Sequence, residues 1–143
     1  MNNRDYKFFE MARKMASESD FERFHVGCVI VYKGRVIGQG VNSNKTDPKQ
    51  KKYNRYRNFS YSKEPIKHSL HAEIAALKSV PYPIKESIDW KKAAIYIYRI
   101  CAGRELGQGM ARPCPACMEA MRDMGIQSIY YTTTDGFSYE RIF

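Results

Sequence analysis

At 143 residues and 16.7 kDa the chain is about one domain long, and folding at that size buries roughly 68% of the surface an unfolded chain exposes. Its apolar fraction of 43% and charged fraction of 27% exclude a disordered, collagen-like or mucin-like chain. The net charge of +9 points to an anionic partner, a phosphorylated small molecule or a nucleic acid.

The longest apolar stretches, around residues 26–32 and 93–98, fall far short of the roughly 18 residues of a membrane span. The N-terminal sequence MNNRDYKFFEMARK lacks the apolar core of a signal peptide, so a cytosolic protein is expected. Four cysteines without an export signal read as metal ligands or buried thiols rather than disulfides.

Over residues 5–15, apolar positions recur at steps of three and four, which predicts an opening helix with one buried face. Residues 24–32 and 35–41 are β-branched runs split by Lys33-Gly34, a tight hairpin signal. The segment 42–70 shows neither a helical nor an alternating period. It concentrates Lys45, Lys49, Lys51, Lys52, Arg55, Arg57, Lys63 and Lys67 against Asp47 and Glu64, and reads as a long functional or mobile loop.

Residues 71–79 predict a short helix, ended by Pro81 and Pro83. Residues 93–100 predict a central strand. A Gly-rich connection leads to Cys114 and a helix stopped by Gly125. Residues 126–133 and 137–142, joined across Asp135-Gly136, predict a closing hairpin. Helices alternating with strands in this order form one mixed sheet covered on both faces, an α/β fold in a single domain over residues 1–143.

Two motifs carry chemistry. His71-Ala72-Glu73 and Pro113-Cys114-Pro115-Ala116-Cys117 each stand at a predicted helix start. Cysteines three apart in a first helical turn share one face, and with a histidine they make three soft ligands. Three protein ligands leave a fourth position open, the mark of a catalytic zinc rather than a structural one.

These motifs, H-A-E and P-C-x-x-C, resemble the zinc-dependent cytidine and deoxycytidylate deaminases and their tRNA-adenosine and nucleic-acid-editing relatives. The resemblance spans nearly the whole chain. It implies a three-layer α/β/α sandwich on a five-stranded mixed sheet, with zinc held by His71, Cys114 and Cys117 and with Glu73 as proton shuttle. Zinc can bring the pKa of a bound water from 15.7 to about 7, and one carboxylate then serves as base and acid in a turnover. The resemblance also implies backbone donors to the base carbonyl at Ala72 and around Cys114, and a homo-oligomeric dimer or tetramer.

The implied activity is conversion of a cytosine nucleoside or nucleotide to its uracil form. Asn42, in Gly40-Val41-Asn42, is either a sugar contact or a turn residue ending its strand. Arg55, Arg57 or Lys52 are candidates to grip a mononucleotide phosphate. Interleaving of Tyr53, Tyr56, Phe59 and Tyr61 with cations is also the composition of a single-strand nucleic-acid surface, so polymer editing is the leading alternative.

A rival from another class is a closed structural site in which His68 joins His71, Cys114 and Cys117 and Glu73 has no task. His25 reads as a surface or core histidine, Cys28 and Cys101 as small buried residues, and the Met118, Met121 and Met124 stripe as core. The segment CAGRELGQGMAR between the third strand and P-C-x-x-C departs from many relatives, as does the long basic insert after Asn42. The terminal hairpin is closer to the free-nucleoside branch.

Overall fold

The computed structural model describes residues 1–57, 67–101 and 107–143. Phe59, Tyr61 and Lys63 of the basic, Tyr-rich stretch lie outside these, as do residues 102–106 of the long connection.

Helix α1, Asn3–Ala16, begins with a capping box in which Asn2 Oδ1 accepts from the Asp5 N–H at 3.0 Å and Asp5 Oδ2 accepts from the Asn2 N–H at 3.1 Å. Its buried stripe of Phe8, Phe9, Ala12 and Ala16 follows the helical period. Strands β1, Phe24–Tyr32, and β2, Arg35–Val41, keep the expected bounds. Lys33 and Gly34 both take positive φ, 49° and 80°, as a two-residue hairpin requires.

Strand β3, Ala93–Cys101, pairs antiparallel with β1 along its whole length. Strand β5, Ser128–Thr132, then runs parallel to β3, and β6, Phe137–Arg141, returns antiparallel. The order β2-β1-β3-β5-β6 gives the expected mixed sheet. A sixth strand, β4, adds two residues, Gln108–Gly109, to the end of β3. The closing hairpin differs from a two-residue Asp-Gly turn. Thr132 pairs with Phe137, leaving a four-residue loop closed by the Thr133 N–H donating to the Gly136 carbonyl at 2.8 Å.

Alternation along β1 and β3 divides the core. Val29, Val31 and Tyr96 pack on Phe8 and Phe9 of α1. Val26, Cys28, Ile30, Ile95 and Ile97 face the opposite layer, made by α3, Ala72–Ser79, and α5, Pro115–Met124. Met121 is fully buried and Met118 nearly so, as a core stripe demands. Gly125 ends α5 with φ of 101°, the left-handed cap for which glycine carries no Cβ penalty. Among the described residues no helix is long and apolar enough to cross a membrane.

The segment after Asn42 departs from a structureless loop. It contains α2, Pro48–Tyr53, followed by a single 3-10 turn, Asn54–Tyr56. Asp47 caps α2, accepting from the N–H groups of Lys49 and Gln50 at 2.9 and 3.1 Å, and pairs with Lys78 of α3. The chain also punctuates differently after α3. Pro81 precedes and Pro83 starts another short helix, α4, Tyr82–Ser87, in which proline occupies the first turn.

Burial alone would raise the Asp47 carboxyl, but the Lys78 ammonium and the two backbone donors outweigh it and hold the pKa below the usual value. A depressed folded pKa means stability present above the unfolded pKa and lost as pH falls through the folded one. Asp47→Ala should therefore destabilise the protein by about 1–2 kcal/mol at neutral pH. In urea denaturation series, the gap to the wild type should narrow below about pH 4.

Candidate zinc centre and its cavity

His71 is the N-cap of α3 and Cys114 the N-cap of α5, both in extended conformation. Neither side chain caps its own helix, so each projects beyond the helix end, and Cys117 follows within the first turn of α5. His71 Nδ1 lies 3.5 Å from Cys114 Sγ and 3.4 Å from Cys117 Sγ. Ligands held at about 2.1 Å (N) and 2.3 Å (S) around a tetrahedral ion stand about 3.6 Å apart. The donor atoms all lie within 4.8 Å of one another, so the set fits zinc.

Both helix N-termini aim their partial positive charge at this point, which favours thiolates. Cys114 is held down to about 4, first by the Cys117 thiol hydrogen-bonding to it and then by His71. Cys117, sharing that proton and fully enclosed, is pushed up. Burial would lower the His71 pKa, but Cys114 and Glu73 outweigh it and leave it raised. A bound divalent ion reverses this order, because coordination deprotonates both thiols outright.

Glu73 stands two residues into α3 and is 6% exposed. Burial raises its pKa, against the opposing charge of His71. It lines a cavity of about 270 Å³ together with His71, Ala72 and Cys114 and the apolar side chains of Phe24, Val26 and Leu70. Ala72 lines the same cavity at the first position of α3, where a helix gives the N–H no intrahelical acceptor. Cys28 is packing, not ligand: its thiol donates to the Ala72 carbonyl at 3.1 Å. His25 stands outside the donor group.

The remaining candidates separate. Asn42 lines the cavity, yet its Oδ1 accepts from the Val26 N–H at 2.9 Å and the Ser19 hydroxyl at 2.6 Å, while its Nδ2 donates to the Phe24 carbonyl at 3.1 Å. It ties the end of β2 to the start of β1. Arg57 lines the cavity, whereas Arg55 folds back on Tyr56, donating to its hydroxyl at 2.8 Å and covering its ring. Lys52 likewise lies over Tyr53. His68 is outside the donor group; its Nδ1 is 2.9 Å from Asn54 Nδ2. Among the described residues the closed four-ligand site therefore lacks its fourth ligand.

Sequence reasoning missed Gln50. It is fully buried on α2, and its Oε1 accepts from the His71 N–H at 3.0 Å while its Nε2 donates to Asn54 Oδ1 at 2.8 Å. On the same helix Tyr53 donates to Asp123 of α5 at 2.7 Å. Helix α2 thus bridges the two helices that carry the ligands. Gln50→Met removes the acceptor at nearly equal volume and should cost about 1–3 kcal/mol by leaving the His71 N–H unpaired. Zinc affinity of the variant, measured by competition with a chelator, should fall with it.

The family described as cytidine and deoxycytidylate deaminase zinc-binding region matches residues 2–133. No curated protein sequence matches significantly. Among solved structures, a cytidine deaminase from Burkholderia pseudomallei is similar at 19% identity and a TM-score of 0.59, covering 99% of this chain and 94% of its own. A dCMP deaminase from the cyanophage S-TIM5 is similar at 19% identity and a TM-score of 0.55, covering 95% and 89%. A guanine deaminase from Bacillus subtilis is similar at 20% identity and a TM-score of 0.50, covering 93% and 65%. At these identities the likeness establishes the fold, and the match over residues 2–133 establishes the family: the chain belongs to the cytidine and deoxycytidylate deaminase zinc-binding family.

Proposed function

We propose that the protein is a hydrolytic deaminase that converts a cytosine-containing nucleoside or nucleotide and water to the uracil form and ammonia. The observation that carries this reading is the buried Glu73 carboxyl on the wall of a cavity that His71 and Cys114 also line, with Cys117 completing their donor set. His71, Cys114 and Cys117 would hold zinc, which would supply the Lewis acid that makes water acidic enough to react near neutral pH. Glu73 accepts a proton from water as the water oxygen adds to the ring carbon bearing the amine. It then protonates the adjacent ring nitrogen and helps the amine leave as ammonia.

Burial that lifts the Glu73 pKa suits a group that must take and return a proton near neutral pH. Phe24, Val26 and Leu70 give the cavity apolar surface for a planar base, and Ala72, first in α3, would donate its N–H to the base carbonyl. The same reading places the protein in the reducing cytosol, where ligand thiols persist, and as a homo-oligomer.

Ammonia release from cytidine, deoxycytidine, CMP, dCMP, adenosine and guanine by zinc-loaded protein tests this proposal. Turnover confined to cytosine compounds is expected. Turnover confined to a purine, or none at all, would overturn it.

A further inference from the structure

We propose that the substrate is a nucleoside 5′-monophosphate whose phosphate is bound by Arg99; the inference rests on the deaminase reading above and goes beyond it in naming the substrate class. Arg99 follows Ile95 and Ile97 on the metal-facing side of β3, where the alternation of the strand calls for an apolar side chain. It instead lines the cavity. Its guanidinium carbon lies 4.2 Å from the centroid of the Phe24 ring, and Nη1 reaches the Met110 carbonyl only at 3.5 Å.

The Nε of Arg99 is buried and has no hydrogen-bond partner, alone in this among side-chain nitrogen and oxygen atoms of the described residues. A guanidinium cannot shed its proton to escape that position. An unpaired buried donor of this kind is costly and calls for a partner supplied by something else.

The other charges on the wall say what that partner is. Arg57 also lines the cavity, and Glu73 is the only carboxylate among the described lining residues. Arg112 is already matched, donating from Nε and Nη2 to Glu140 at 2.8 and 3.1 Å. An uncharged nucleoside would bring no anionic oxygen to the Arg99 Nε–H. A terminal phosphate presents two oxygens in the fork geometry that a guanidinium matches. A monoester brings more charge to that fork than the internal diester of a polymer, and so it is the better fit.

The test compares kcat/KM of zinc-loaded protein for dCMP, CMP, deoxycytidine, cytidine and a single-stranded oligodeoxynucleotide containing cytosine. Wild type should prefer each monophosphate over its nucleoside by at least about 30-fold, the scale of one hydrogen bond to a charged group. That ratio, read within each variant so that a general loss cancels, should fall about 10-fold or more in Arg99→Gln and by less in Arg99→Lys, which keeps the charge and loses the fork.

Nucleosides used as well as monophosphates by wild type would overturn the inference and leave the deaminase reading standing. So would a ratio unchanged in both variants, or preference for the oligonucleotide. Failure of zinc-loaded wild type on all five compounds would instead overturn the deaminase reading, and this inference with it.

Discussion

Glu73→Gln should bind one zinc per chain, melt at or above the wild-type temperature, and lose about 10³-fold or more in kcat on whichever cytosine compound the wild type deaminates. Glutamine keeps the size and one acceptor oxygen of the carboxyl, so the contact with Cys117 is kept. It cannot take up a proton, and the reaction needs one carried from water to the ring nitrogen. Because Glu73 is 6% exposed, the amide also relieves the cost of burying a charge, which is why stability should not fall. Zinc analysis by mass spectrometry, thermal melting and steady-state ammonia release separate the three statements. A zinc-loaded variant with wild-type kcat would remove Glu73 from the chemistry.

Gly40→Ala should be among the most destabilising single-methyl additions in the chain, at about 3 kcal/mol or more. Gly40 sits on β2 under α3, and a Cβ there would stand 2.6 Å from the Ala72 carbonyl oxygen and closer still to the Ala76 nitrogen. Both are backbone atoms of a helix, so no rotamer can yield and the helix itself must back away. That helix carries His71 at its cap and Glu73 in its first turn, so the displacement should also weaken zinc binding. Gly136→Ala is the control, since a Cβ there meets nothing nearer than 3.7 Å. Thermal melts should show a drop of about 10 °C for Gly40→Ala and almost none for Gly136→Ala.

The hairpin of β1 and β2 and the two chemical motifs were legible because each is local. Lys33-Gly34 specifies its turn, and the cysteines three apart specify a shared helical face. That His71 would meet both cysteines in one donor group beside Glu73 came only through the resemblance to the deaminases, since no local pattern brings residues 71 and 114 together. Helix α2 stayed hidden because its buried positions are Gln50, Tyr53 and the adjoining Asn54, mostly polar, while its outer face is lysine. Hydrophobic periodicity cannot see a stripe whose burial is satisfied by hydrogen bonds. Asp47-Pro48, an N-cap followed by proline in the first turn, was the available signal.

Pro83 was read as a stop where it acts as a start, since proline suits a first helical turn as well as it ends a preceding helix. Arg99 could have been noticed as the charged residue that breaks the inward series of Ile95 and Ile97. Nothing in the residues announces the pairing of β4 with β3, which depends on where a long connection returns.

Zinc titration of metal-free protein, with ammonia release from the preferred cytosine substrate followed at each addition, bears most directly on the central claim. Activity should rise linearly and saturate at one zinc per chain, and Cys117→Ala should show neither saturation nor activity. Deamination that is already complete without metal, or that remains absent when one zinc per chain is bound, would contradict a zinc deaminase built on His71, Cys114, Cys117 and Glu73.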